Sequence, residues 1–269
     1  MPPMPDRDPR SLPRALVATL LVAVVALAGC KNNPNRDLEN PDDAYRMAKD
    51  DMARNNYARS VFIFEQMEAR FPFANATKQS QLDLMYAYYK NREPESAADQ
   101  ADQFIRENPT HPRIDYAYYI KGLVAFERNP NVIERWFRAD LSERPPIDAT
   151  KSYQAFATLV QRFPNSEYAA DSRQRMIFLR NRLASYETYV AGYYLTRGAY
   201  AGAINRAKYT IENYDGAPAV RDALAIMSES YKNLGMTDLA ADADKVLREN
   251  FAATADDPSS VKSSWWKFW

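Results

Sequence analysis

Apolar residues recur at helical spacing through residues 42–252, three and four positions apart, the period of helices that bury one face. The recurrence is itself repeated. Ala48 leads through an Asn55-Asn56-Tyr57 turn to Ser60, Phe64 and Met67. Met85 and Tyr88 precede Arg92-Glu93-Pro94, and Ala97, Ala101 and Phe104 follow. Ala191 and Tyr194 precede Arg197-Gly198-Ala199-Tyr200, then Ala203 and Ala207. Ser228 and Tyr231 precede Leu234-Gly235, then Ala240. The pattern predicts helix pairs. Small residues sit where two helices touch, large ones fill the layers between neighbouring pairs, and Gly198 and Gly235 supply left-handed turns.

The ends of the pairs repeat too. Arg70-Phe71-Pro72 returns as Arg162-Phe163-Pro164, with a weaker relative at Glu107-Asn108-Pro109. Glu212-Asn213-Tyr214-Asp215 and Glu249-Asn250-Phe251-Ala252 close two more stretches without the proline. All intervals exceed the roughly 34-residue tetratricopeptide period, so the array is irregular. The fold expected is all-α, a right-handed superhelix of about five tetratricopeptide-type helix pairs. The third pair is split. Its first helix starts near Tyr116 and its second runs from about Ala149 to Phe163, with an insertion at 130–147 carrying Trp136 and Phe137. Such an insertion is either functional or a decorative loop. The first helix of the fourth pair looks long, from about Tyr168 to Tyr186 or beyond.

The first residues follow another pattern. Arg7, Arg10 and Arg14 precede an apolar run, Ala15 to Ala28, that is short for a bilayer span. A charged flank, a short apolar core and small residues read as a secretory signal peptide over 1–29. Leu27-Ala28-Gly29-Cys30 resembles a bacterial lipobox. That resemblance implies a covalent diacylglycerol and an acyl chain on Cys30, and no other cofactor. It also implies a membrane contact through the lipid, stable because several chains are buried together. Lys31, where an aspartate would favour inner-membrane retention, implies the outer membrane. Residues 30–41 read as a polar tether. Residues 253–269 read as a flexible tail with an aromatic end.

Composition narrows the chemistry. The 35 basic and 35 acidic residues balance, so no basic footprint for nucleic acid exists. Only 7 glycines leave little for phosphate-cradling loops, and the single cysteine precludes a disulfide within the chain. One histidine, His111, lies between Thr110 and Pro112 and reads as a turn residue. Without a second histidine or cysteine, a metal site or Ser-His triad lacks its parts. Carboxylates lie near Lys and Arg at helical spacing, so solvated helix faces are their default. The enzyme alternative, a paired-carboxylate lytic enzyme acting on the cell wall, would need a separate catalytic domain. The expectation is a non-enzymatic binding protein.

Pro72-Phe73, the run Gln81 to Asn91, Phe104 to Pro112, and Ile114 to Gly122 together resemble one family closely. The chain is similar, from Cys30 to about Phe251, to the BamD family of outer-membrane lipoproteins of the β-barrel assembly machine. The resemblance implies a periplasm-facing, lipid-anchored scaffold. Residues 42–129 would receive unfolded outer-membrane proteins through a C-terminal targeting strand. Residues 148–252 would bind the periplasmic domain of the barrel protein BamA, and other assembly lipoproteins would be further partners. A family BamA contact, an Arg after Asn in the fourth repeat, stands here as Asn205-Arg206. The competing binding reading is an envelope lipoprotein that coordinates cell-wall synthesis.

By repeat phase, the inward positions are Tyr45 and Lys49 in the first pair. In the second they are Gln79, Leu82, Tyr86, Tyr89 and Lys90, and in the third Tyr116, Tyr119 and Leu123. Tyrosine offers an apolar face and a hydroxyl at low entropy cost, which suits an extended strand with an aromatic end. Lys49 or Lys90 would meet its carboxylate. The competing reading packs about half of these tyrosines between helices. The run Trp265-Trp266-Lys267-Phe268-Trp269 has three readings. It packs back onto the last repeat, contacts a partner or membrane interface, or occupies the client groove as a mimic.

Overall fold

The computed structural model describes residues 39–127 and 145–255, with side chains as far as Phe251. The signal segment 1–29, Cys30, most of the tether, nearly all of the 130–147 insertion and the aromatic run lie outside the described residues. Among the described residues ten helices follow one another: α1 (Pro41–Ala53), α2 (Tyr57–Arg70), α3 (Asn75–Lys90), α4 (Pro94–Glu107), α5 (Ile114–Glu127), α6 (Ile147–Arg162), α7 (Ala169–Thr196), α8 (Tyr200–Asn213), α9 (Ala219–Asn233) and α10 (Thr237–Ala255). No strand occurs among the described residues. Each helix packs on the next, and the first helices of neighbouring pairs also meet, α1 on α3, α3 on α5 and α7 on α9. This is the expected superhelix of five helix pairs.

Within each pair, small residues set the approach. Ser60 donates its hydroxyl to the Ala48 carbonyl at 3.0 Å, and Ser152 donates to the Gly122 carbonyl at 2.9 Å. Ala48, Ser60, Ala97, Ser152, Ala191, Ala203, Ser228 and Ala240 are all buried. A Cβ on Gly122 would run into the Phe156 ring, so only glycine lets α5 come this close to α6.

The turns inside four pairs share one geometry. Asn55, Arg92, Gly198 and Gly235 all adopt left-handed backbone, with φ of 60, 64, 72 and 71°. In each, the following N–H closes back on the preceding helix: Asn56 on Asp51, Glu93 on Tyr88, Ala199 on Tyr194, and Met236 on Tyr231, at 2.8–3.0 Å. These bonds satisfy carbonyls that a helix end leaves open. The turns between pairs repeat as well. Phe71, Asn108, Phe163 and Tyr214 terminate their helices at φ near −130° and donate to the carbonyl four residues back. These are the closing positions of the sequence repeat.

The helix α1 begins with a side-chain cap. Asn40 Oδ1 accepts from Asp42 N–H at 2.9 Å, Pro41 occupies the first turn, and Asp42 and Asp43 add favourable charge there. The helix α6 begins at Ile147, so the last residue assigned to the insertion is already helical. The long α7 contacts α6, α8 and α9 and so belongs to both ends of the array.

Candidate functional site

Helices α1, α3 and α5 and the start of α7 carry a connected series of tyrosines and charges. At its first end, Asp83 accepts from the Tyr45 hydroxyl at 2.7 Å and from Lys49 Nζ at 2.8 Å. Burial and the bond to Asp83 push the Tyr45 pKa above the ordinary phenol range. Gln79, an exposed residue of α3, partly offsets this rise. Beyond it, Tyr86 meets Tyr57 edge-on at 6.3 Å and Tyr89 at 6.2 Å. Lys90 lies over the Tyr57 ring at 5.9 Å.

The series continues across α5 to α7. Tyr119 stacks on Tyr168 at 4.6 Å, and Tyr116 packs against the same ring at 5.5 Å. The Tyr119 hydroxyl donates to Asp171 at 2.8 Å, and Arg175 donates to the same carboxylate at 2.6 Å. Burial and the bond to Asp171 push the Tyr119 hydroxyl up to about 12. At Asp171, burial opposes the charge, but the bonds from Arg175 and Tyr119 outweigh it and hold the carboxyl below its usual range. Arg175 then caps the Phe126 ring at 4.8 Å, and Phe126 contacts the exposed Phe178 at 5.6 Å.

Tyr45, Tyr86, Tyr89, Tyr116 and Tyr119 are each half-buried and packed on the main core, with one part of the ring left for solvent. The buried tyrosine of these repeats is a different one, Tyr88, whose hydroxyl donates to Glu65 at 2.6 Å. Two inward positions are corrected. Leu82 and Leu123 are buried between helices, because the face turns inside them as neighbouring first helices meet. Lys49 is already paired with Asp83, which leaves exposed Lys90 as the better cation for a ligand carboxylate. Sequence reasoning missed Tyr57, Asp83, Tyr168, Asp171 and Arg175. Of these only Asp83 left a signal, a charge set between two leucines in Leu82-Asp83-Leu84.

The second candidate surface lies on α8. Arg206 donates to Glu187 of α7 at 2.7 Å, and that bond raises the guanidinium pKa further. The Glu187 side chain is 14% exposed and the Arg206 side chain 43%, so the arginine is anchored at one end and open at the other. Asn205 is exposed beside it. Tyr209, one helical turn on, and Tyr193 on α7 are also exposed, and the sequence had not singled them out.

On this face Asp83 is held by Tyr45 and Lys49, and Asp171 by Tyr119 and Arg175. His111 packs on Phe104 at 5.1 Å, and its Nδ1 accepts from Arg113 N–H, in keeping with a turn role. Among the described residues, no group of three or more His, Cys, Asp or Glu is placed to hold a metal. None of the described helices is long and apolar enough to cross a membrane.

Comparison with known proteins shows the family. Residues 38–247 match the YfiO family, described as outer membrane lipoprotein. An outer membrane protein assembly factor BamD from Neisseria gonorrhoeae is 40% identical over 257 residues, covering 91% of this chain and 96% of that one. The protein of that name from Neisseria meningitidis serogroup A is 42% identical, covering 84% of this chain and 85% of its own. The one from Xylella fastidiosa is 34% identical, covering 95% and 87%. The match spans all five helix pairs and both candidate surfaces, and the chain belongs to the YfiO family of outer membrane lipoproteins.

Proposed function

We propose that this protein is a non-enzymatic scaffold of outer membrane protein assembly. It is anchored to the outer membrane through lipid on Cys30 and faces the periplasm. The relatives, named as assembly factors, support the role across most of both chains. The tyrosine face of α1, α3, α5 and α7 receives unfolded outer-membrane clients as an extended strand. The observation that carries this reading is the set of half-buried tyrosines whose rings are fixed by packing and by Asp83 and Asp171. Ordered aromatics lose little entropy when a strand binds. Lys90 takes the strand's terminal carboxylate. Asn205 and Arg206 contact the periplasmic domain of a BamA-like barrel protein, and other assembly lipoproteins complete the complex.

The test is binding of a fluorescent peptide that ends in an aromatic residue. Replacing Tyr86, Tyr89 and Tyr119 together by alanine should weaken it by about a hundredfold, the scale of losing two or three aromatic anchors. Helical content should be retained. Unchanged affinity in a folded variant would remove the face from client binding. If the wild-type protein recovers cell-wall polymer or its synthases from solubilised membranes and no barrel protein, the assembly role itself fails.

A further inference from the structure

Helix α3 packs on both α2 and α4, and α5 on both α4 and α6, so each floors the space between two second helices. Between α2 and α4 that space is filled. Val61 of α2, Leu84 and Tyr88 of α3 and Gln100 of α4 are all buried. Two bonds tie the helices together there. The Tyr88 hydroxyl donates to Glu65 at 2.6 Å, and Gln100 donates to Glu68 at 2.9 Å. Between α4 and α6 the same place is an open cleft of about 570 Å³, lined by α4, α5 and α6. That is the size of an ordinary ligand pocket.

The repeat register explains the opening. The matching bonds of Ser60 to Ala48 and of Ser152 to Gly122 align the first and third pairs, and Met85 and Ala97 stand at the same points of the second. In that register Val61 becomes Ala98, Tyr88 becomes Ala125 and Gln100 becomes Ala155. Leu84 becomes Lys121, which reaches outward to Asp102 at 2.5 Å instead of filling the space. The floor that remains is small and apolar, with Ala125 and Ala155 both buried. The lining is charged unevenly, four carboxylates (Glu95, Asp99, Asp102 and Asp148) against the two ammonium groups of Lys121 and Lys151. Three of the carboxylates lie at helical spacing along the α4 wall.

We propose that the α4–α6 cleft docks a basic segment of a partner protein, with an arginine or lysine stem over Ala125 and Ala155 and its charge against Glu95 and Asp99. Long cationic side chains combine an apolar stem with a charged head, which matches an alanine floor beside an acidic wall. The excess of carboxylates disfavours an acidic segment in the same place. A protein occupant follows from continuity. One pair later, α7 floors the space between α6 and α8, and Asn205 and Arg206 stand there at the positions of Gln154 and Ala155. The two clefts share α6. The choice of a protein thus rests on the partner reading of Arg206, whereas the preference for a cation rests on the cleft alone.

A labelled, alanine-rich helical peptide with two arginines one turn apart tests this against the full chain by fluorescence anisotropy. Saturable binding is expected. Ala125→Tyr with Ala155→Gln installs the side chains that fill the neighbouring cleft and leaves every charge in place, and should weaken binding about tenfold, the scale of losing one anchor. Asp99→Lys, at an exposed position, should weaken it about tenfold through charge and keeps the test open if the filled variant misfolds. Arg206→Glu should leave peptide affinity unchanged, so failure of the cleft and failure of the partner reading, seen as barrel-protein capture, are read separately. No saturable binding would overturn the proposal. So would equal binding of the peptide with glutamates for its arginines, an affinity that the folded filled variant or Asp99→Lys leaves unchanged, or loss of binding in Arg206→Glu.

Discussion

The two ends of the array are built from the same helix pair but packed with different materials. From α1 to the middle of α7 there is one continuous core, with Phe64, Phe104 and Phe156 fully buried and Leu82, Leu84 and Met85 between them. From the middle of α7 to α10 the core divides into two small clusters made largely of alanine, with Leu195, Ile226, Val220 and Leu224 as their larger members. Aromatics there, such as Tyr194, Tyr200 and Tyr214, are only partly buried. Alanine lets helices approach closely but withdraws little area from water. The difference separates rigidity from exchangeability. A face that must hold tyrosines in fixed poses rests on a dense core, and a region with exposed Tyr193, Tyr209 and Leu239 rests on a thin one.

The largest expected effect tests the dense core. Phe156→Ala removes a ring that touches Gly122 and Tyr119, and should cost about 4 kcal/mol in urea unfolding. Leu195→Ala in the thin core should cost about 2 kcal/mol, because its neighbours are small and its site is slightly open. Equal losses would erase the distinction. Hydrogen exchange sharpens it without mutation. Amides of α3 to α6 should be protected about tenfold or more beyond those of α9 and α10, since local opening follows burial.

The next effect concerns the closest helix approach. Gly122→Ala should destabilise by about 2 kcal/mol despite alanine's better helix propensity, because the new methyl meets the Phe156 ring. The double variant Gly122→Ala with Phe156→Leu should recover part of that loss. A neutral or stabilising Gly122→Ala would mean that α5 and α6 can separate freely.

The second surface offers a charge swap. Arg206→Glu sets two carboxylates together and should lose both the intrachain pair and the proposed contact with a barrel partner. Adding Glu187→Arg restores a pair within the chain. Stability should return to within about 0.5 kcal/mol of wild type, the usual worth of a partly exposed pair. Partner capture should stay lost. Recovery of capture along with stability would reduce Arg206 to a structural role.

Acid and alkali probe the tyrosine face. Asp171 has a depressed pKa, so its pair with Arg175 and Tyr119 contributes fully above the unfolded value near 4 and is lost as pH falls below it. Tyr119 is raised, so its contribution is present below about 10 and disappears as pH climbs toward about 12. Client-peptide affinity should therefore be flat between these limits and fall at both ends. Asp171→Asn should remove the acid limb, and a limb that persists would belong to other carboxylates.

Much of this was legible in the sequence, for identifiable reasons. The repeat closures at Phe71, Asn108, Phe163 and Tyr214 were visible because one backbone solution recurs at each. Gly198 and Gly235 announced left-handed turns because glycine alone enters that region without cost. The tyrosines of the candidate face were visible through helical phase. Their partners were not. Asp83 and Asp171 look like solvated helix carboxylates by spacing, and only the neighbouring helix supplies the Tyr45, Lys49 and Tyr119 that bind them. Leu82 and Leu123 were misplaced for the same reason, since phase gives a helix face but not the width covered by the next helix. The glutamate under Arg206 lies on a different helix and was equally hidden.

The smallest effect returns to the turns. Arg92 holds the same left-handed φ as Gly198 and Gly235, yet it has a Cβ and is neither glycine nor asparagine. Such a residue pays roughly 1 kcal/mol for that backbone region, while a flexible unfolded glycine gives some of the advantage back. Arg92→Gly should therefore stabilise the second pair by only about 0.5 kcal/mol, a small rise in the urea midpoint at unchanged slope. Gly235→Ala reverses the chemistry. No atom lies within 4 Å of the added Cβ, so its cost, about 1 kcal/mol, is backbone strain alone. If Arg92→Gly destabilises instead, the exposed arginine makes contacts worth more than the strain it carries. The second pair would then owe its turn to the side chain rather than to the helices on either side.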